Sequence, residues 1–312
     1  MLFRSICLSV VLGGCSVYRT YKRPDVAVID SLYRQQISPA DSVASIADLS
    51  WKELFTDPHL QKLIETGLCN NSDLGIARLR AEEAEALLQS ARLSYLPSIS
   101  LSPQGTIGKV EHSKTTKSYD LATSASWEID IFGKLTNTKR EARVVLEQSE
   151  AYRQAVQTQL IATIANSYYT LLMLDEQLNI SRRTARNWSE NLRVMKALKN
   201  AGQTTDMAVA QTEASKLSVD ASLLSLERQI TELENTLLSL LGSVPGDITR
   251  STLSSQSFPD TLLVGVPLQL LQRRPDVRQS EAVLAAAFYV TNQARAAFFP
   301  SITLSGSAGW TN

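Results

Sequence analysis

From Lys134 to Leu241 the chain contains no proline, and its only glycine is Gly202. Because these two residues are the strongest local interruptions of regular structure, their absence over such a span predicts two very long helices joined once, at Gly202. The first, over 134–201, is about 100 Å long at ~1.5 Å per residue. Its apolar residues, among them Leu160, Ile164, Tyr168, Leu171, Leu178 and Leu192, recur mostly three, four or seven positions apart, a coiled-coil-like stripe. The second, over 204–241, carries Asp206 near its N-terminus, where a carboxylate favours the helix dipole. The two helices are expected to pack antiparallel. A soluble bundle or a dimeric coiled coil satisfies this stretch as well. The wider composition agrees with helix: thirteen glycines in 312 residues, with many unbranched side chains that lose little rotamer freedom there. The 31 basic and 31 acidic residues cancel, leaving no net field to draw a polyanion, so nucleic-acid binding is not expected.

Immediately before the long helix the pattern changes. In YDLATSASWEIDI, residues 119–131, odd positions read Tyr, Leu, Thr, Ala, Trp, Ile, Ile and even positions Asp, Ala, Ser, Ser, Glu, Asp. This period of two marks a strand with one apolar and one polar face. Upstream, PSISLS alternates in the same way, and residues 103–118, with Pro103, Gly105 and Gly108, read as the loop of a β-hairpin over 98–131. An isolated hairpin between long helices is marginal in water and leaves two unpaired edges. A transmembrane barrel strand requires this apolar-out, polar-in alternation, and a half-buried soluble sheet shows it too.

The chain also repeats itself. ARLSYLPSISLS at 91–102 and ARAAFFPSITLS at 294–305 share seven of twelve positions at an offset of 203. Pro97 and Pro300 occupy the same place in the two copies. Proline cannot continue a helix and pushes its predecessor towards extended geometry, so each copy reads as helix, break, strand. Two full copies hold two hairpins, and four strands cannot close a barrel that needs at least about eight, so closure requires several chains.

At the N-terminus, Arg4, an apolar run from Ile6 to Leu12 and Leu12-Gly13-Gly14-Cys15 follow the order of an export signal, over 1–14. The run is too short to span a membrane. The Leu-Gly-Gly-Cys sequence resembles a bacterial lipobox, which makes Cys15 the acylated first residue of the mature chain; an ordinary signal with an incidental cysteine is the alternative. Cys7 leaves with the signal, so Cys69 has no intramolecular partner and no disulfide framework is expected.

Several motifs converge on one family: WKELFTDPHLQKL at 51–63, NNSDLGIARLR at 70–80, SWEIDIFGK at 126–134, AGQTTDMAVAQTEA at 201–214, and LLQRRPDVRQSEAVLAAAFYVTNQARAAFFPSITLSGSAG at 270–309. In this order they resemble the TolC-like bacterial outer-membrane efflux proteins, specifically the OprM/NodT-type lipoproteins of resistance-nodulation-division (RND) systems. The resemblance implies a mainly α fold with a small β part, in which long antiparallel coiled-coil helices form a periplasmic α-barrel and β-hairpins join a trimeric transmembrane barrel. It implies an outer-membrane channel component of a tripartite efflux pump, conducting drugs or other small toxic compounds passively, without catalysis or cofactor. Its partners are two further copies of itself, a periplasmic adaptor (membrane fusion) protein, an inner-membrane RND pump and outer-membrane lipid. The outer-membrane duct of a type I secretion system shares the fold, and a non-conducting periplasmic coiled-coil scaffold is a further alternative. Gly202, Gln203, Thr204, Thr205 and Asp206 match the turn that meets the adaptor, and Asp120, Ser124, Ser126, Glu128 and Asp130 face the lumen.

The domain division expected is a lipidated, extended segment over 15–50, a first repeat over 51–253 and a second over 254–312 with helix 276–299 and strand 301–310. Displaced by the repeat offset of 203, Lys109 falls on Asn312 and the stretch 110–241 lies beyond it, so the second copy is expected to be truncated. Three strands per chain then leave an unpaired edge in lipid and no closed conducting trimer. An enzyme is not expected. His59 and His112 stand in no metal-ligand spacing, and no phosphate-binding loop or nucleophile elbow occurs. Glu82, Glu83 and Glu85 read as a solvated helix face, and Arg273, Arg274 and Arg278 as partners of the turn at Pro275.

Overall fold

A computed structural model describes residues 19–23, 50–109, 114–257 and 273–312. The expected signal sequence, Cys15 and nearly all of the 15–50 segment lie outside these residues. The chain divides into two compact units, one of Met1–Tyr33, Arg78–Arg153 and Gln272–Asn312, the other of Arg34–Ala77 and Gln154–Leu271.

The second of these units is helical. α1 (Trp51–Leu54) starts with a capping box, in which the Ser50 hydroxyl accepts from the Lys52 amide and the Glu53 carboxylate from the Ser50 amide. α2 (Pro58–Asn70) begins at Pro58 because Asp57 caps it, its Oδ1 accepting from the His59 amide at 2.9 Å. Asn71 then interrupts the chain and opens α3 (Ser72–Leu93): its side chain accepts from Leu74 N and donates to the Leu240 carbonyl, both at 2.9 Å. The two long helices are α4 (Lys134–Asn200) and α5 (Asp206–Leu240). α5 starts two residues later than the sequence predicts because Thr205 serves as its cap, accepting from Ala208 N.

The predicted stripe is the seam of this unit. Leu160, Ile164, Tyr168, Leu171 and Leu178 of α4 are buried against Leu60 and Ile64 of α2 and Ile230 and Leu237 of α5. Spacings of three and four residues put them on one helix face, which gains stability as its area leaves water, at roughly 25 cal/mol per Å2. Gly67 sits where a Cβ would lie 2.5 Å from Ile164 Cδ1, so α2 approaches α4 closely.

Polar groups fasten the segment after α5 to this seam. Tyr168 donates its hydroxyl to Asp57 Oδ2 at 2.6 Å, Gln256 Nε2 donates to the same oxygen at 2.9 Å, and Ser251 N donates to the Tyr168 oxygen at 3.1 Å. Burial pushes the Asp57 carboxyl up, but the hydrogen bonds from Tyr168, Gln256 and the His59 amide outweigh it and hold the group below the usual carboxylate range. Burial, together with the bond to Asp57, pushes the Tyr168 hydroxyl up to about 12. Close by in sequence, Arg250 is bidentate to Asp175 at 2.5 and 2.9 Å and also pairs with Glu234.

The other unit contains residues 78–93 of α3, residues 134–153 of α4, α6 (Pro275–Ala296) and a three-stranded antiparallel sheet in the order β1 (Ser98–Gly108), β2 (Thr116–Ile129), β3 (Ile302–Thr311). The loop expected over 103–118 is shorter than predicted, because β1 continues through Pro103 and Gly105. Pairing explains this: β1 bonds only to β2 among the described residues, and a strand with a free edge tolerates a proline that donates no hydrogen bond. Gly105 lies against the Tyr119 ring, whose Cδ1 would be 3.6 Å from an added Cβ. α6 ends at Ala296, three residues earlier than predicted, with Pro300 between it and β3.

Replacing Tyr168 by Phe leaves the Ser251 amide without its acceptor and removes a donor from Asp57. The expected loss is about 1–3 kcal/mol in chemical denaturation. A carboxyl with a depressed folded pKa contributes stability that is present above its unfolded pKa of about 3.9 and is lost as pH falls through the folded value. Tyr168→Phe should therefore also flatten the acid limb of the stability profile.

Candidate functional site

Two features present chemistry outward, the sheet and the turn between α4 and α5. The sheet has two unlike faces, fixed by register. Ser98 pairs with Ser126 and Ser126 with Ser305; Ser100 pairs with Ser124 and Ser124 with Ser307; Gln104 pairs with Asp120 and Asp120 with Thr311. Since side chains alternate along a strand and directly paired residues share a face, these hydroxyls and amides form continuous rows. Ser100 and Ser124 hydroxyls are 2.7 Å apart, and Thr311 donates to Asp120 Oδ1 at 2.6 Å. The opposite face carries Ile99, Leu101, Leu121, Trp127, Leu304 and Trp310. Nothing among the described residues covers it: Ile99 is 73% exposed and Trp310 65%.

The junctions below the sheet are tied to one another. Pro97 and Pro300 both fall between the end of a helix and the start of a strand. Trp127 Nε1 donates to the Tyr95 carbonyl at 2.9 Å, the Tyr95 hydroxyl donates to Thr136 at 3.0 Å, and the Phe132 and Phe299 rings stack at 4.8 Å. Of the five residues expected to face a lumen, Asp120, Ser124, Ser126 and Glu128 lie on the polar face of β2. Asp130 lies beyond the strand, and its carboxylate accepts from Leu135 N, Thr136 N and the Thr136 hydroxyl at 3.0, 2.8 and 2.6 Å. The physical reason for the difference is that the start of α4 needs acceptors for its unpaired amides. Glu128 is paired with Lys134 Nζ at 3.1 Å. The polar face also includes Gln104, Thr303, Ser305, Ser307 and Thr311, which the sequence reading did not single out; the alternation in ITLSGSAGWT was the available signal.

The turn at 201–205 is a tight helix stop. Gly202 has φ +74, Gln203 N donates to the Leu198 carbonyl and Gly202 N to the Lys199 carbonyl, both at 2.9 Å. A Cβ on Gly202 meets nothing within 4 Å, so the left-handed backbone alone requires glycine. Gln203, Thr205 and Asp206 are exposed, Thr204 is half-buried, and Asp206 pairs with Lys199. No group of three or more His, Cys, Asp or Glu arranged to hold a metal occurs among the described residues. No described helix is long and apolar enough to cross a membrane.

The family model for outer membrane efflux proteins matches residues 63–243 and 266–312. The chain belongs to this family. The matched segments take in β1, β2, α4 and α5 in one stretch and α6 and β3 in the other. Among curated relatives, the probable outer membrane lipoprotein SilC of Salmonella typhimurium is 33% identical over 309 residues, covering 96% of this chain and 66% of SilC. The probable efflux pump outer membrane protein TtgC of Pseudomonas putida is 29% identical over 310 residues, covering 96% of this chain. The chain spans 64% of TtgC's length. A crystal structure of CusC superimposes with a TM-score of 0.79 at 27% identity, over 96% of this chain and 68% of that one. The open-state MtrE outer membrane channel of Neisseria gonorrhoeae does so at 0.78 and 30%, over 94% and 66%. The fold is therefore the TolC-like one expected from the sequence, mainly α with a small antiparallel sheet.

Asp130→Ala should destabilise the start of α4 by about 0.5–2 kcal/mol, the usual range for losing a side-chain acceptor there. Asp130→Asn should retain most of it. Equal losses in thermal unfolding of the two variants would contradict the capping role.

Proposed function

We propose that this chain contributes wall and periplasmic helices to an outer-membrane channel of a tripartite efflux pump. The observation that carries this reading is the two-faced sheet: an uncovered apolar face suited to lipid, backed by a hydroxyl-rich face suited to water. β1 and β3 each keep one edge without a partner among the described residues. Such edges are untenable in hydrocarbon, so closing a barrel takes strands from outside this sheet, with a homotrimer as the assembly to which this sheet contributes. The names of SilC, TtgC and CusC, which refer to an outer membrane lipoprotein and to efflux systems, support the same assignment.

On this reading the protein sits in the bacterial outer membrane, anchored by acyl chains on Cys15, with α4 and α5 in the periplasm. The turn of Gly202 to Asp206 meets the periplasmic adaptor, and an inner-membrane RND pump supplies the driving force. The duct carries drugs or other small toxic compounds. It catalyses no reaction and uses no cofactor.

Single cysteines placed along β2 test the reading in outer-membrane preparations. Cysteines at 120, 122, 124 and 126 should react with a water-soluble, membrane-impermeant maleimide, and those at 121, 123, 125 and 127 should be protected. Equal reaction on both faces would mean that no bilayer covers the apolar side.

A further inference from the structure

We propose that Asp120 alone sets the charge preference of the sheet's polar face, making it favour cationic over anionic solutes at the end of β2 nearer the hairpin loop. The inference rests on the reading above, in which this face meets water.

Three carboxylates were candidates for charging this face, and two are accounted for. Asp130 lies outside the strand with both oxygens engaged by the start of α4. Glu128 is neutralised by Lys134 Nζ at 3.1 Å. Asp120 has no cation within ion-pair distance among the described residues. Its cross-strand neighbours are Gln104 and Thr311, and its one side-chain hydrogen bond comes from the neutral Thr311 hydroxyl at 2.6 Å. A hydroxyl donor stabilises a carboxylate without cancelling its charge. Lys117, close in sequence, falls on the opposite face because its position is odd. Apart from Asp120 and the ion-paired Glu128, the polar-face residues of the three strands are uncharged, mostly serine and threonine. Among the described residues Asp120 is thus the one polar-face charge without an ion-pair partner, set in a hydroxylated surface. Eight residues of strand separate it from Glu128, roughly 27 Å at ~3.4 Å per residue, well beyond the ~8 Å screening length of physiological salt. Its field therefore acts locally, on solutes passing that end of the wall.

The test uses the full chain in outer-membrane vesicles with the exposed Cys69 replaced by serine. A single cysteine replaces Ala122, two residues from Asp120, or Ser126, two residues from Glu128, both on the polar face. Each is modified with a cationic (trimethylammonium) and an anionic (sulfonate) methanethiosulfonate, and the rate ratio is normalised to free cysteine. At low ionic strength the normalised ratio at Ala122→Cys should be about three- to tenfold in favour of the cation, and should fall with salt. It should approach unity in Asp120→Asn. At Ser126→Cys it should be near unity throughout, although Glu128 is as close in sequence. A ratio at Ala122→Cys that Asp120→Asn leaves unchanged would overturn the assignment, as would an equal preference at Ser126→Cys. If Ala122→Cys reacts with neither reagent while Leu121→Cys reacts with both, the polar face is not the water side. The conduit reading then fails, and this assignment with it.

Discussion

The register of β2 between β1 and β3 is the constraint on which the functional account depends. A shift of one residue in either pairing would carry Trp127, Leu121 and their neighbours to the other face and put serines among them. Both faces are largely exposed among the described residues, so burial against them does not hold the register. The junction does so instead: Trp127 is bonded to the Tyr95 carbonyl, Phe132 stacks on Phe299, and Asp130 ties the end of β2 to the first turn of α4. Helix geometry and strand register are therefore set together, at the two prolines.

The helical unit relies on a different kind of contact. An apolar seam at three- and four-residue spacing supplies most of the burial, and a small set of buried polar bonds selects which segment lies over it. Asp57 has three donors on its carboxylate, so its charge is retained although it is buried. Arg250 gathers two carboxylates in the same way, from α4 and α5. Such bonds add specificity to a seam whose leucines would accept more than one partner.

Much of this was legible in the sequence, for physical reasons that differ by element. The long helices announced themselves because Gly and Pro are absent between Lys134 and Leu241 apart from Gly202, where the chain needs a left-handed residue. The helix-to-strand breaks were legible because proline acts locally at Pro97 and Pro300. The extent of β1 was not, since the tolerance of Pro103 and Gly105 comes from an edge position and the Tyr119 ring, both tertiary facts. Asp130 continued the alternation of β2 and read as one more polar-face residue; the demand of the α4 amides lies five and six positions ahead. The Asp57–Tyr168 bond spans 111 residues and left no local trace.

In the proposed channel the odd-numbered face of β2 and the matching face of β3 meet lipid. The four tryptophans, at 51, 127, 188 and 310, allow a direct measurement: fluorescence of single-tryptophan variants in bilayers with brominated acyl chains. Trp127 and Trp310 should be quenched by the brominated lipid and protected from aqueous iodide, with Trp51 and Trp188 showing the reverse. Quenching of Trp127 and Trp310 by iodide, with no effect of brominated lipid, would contradict the account.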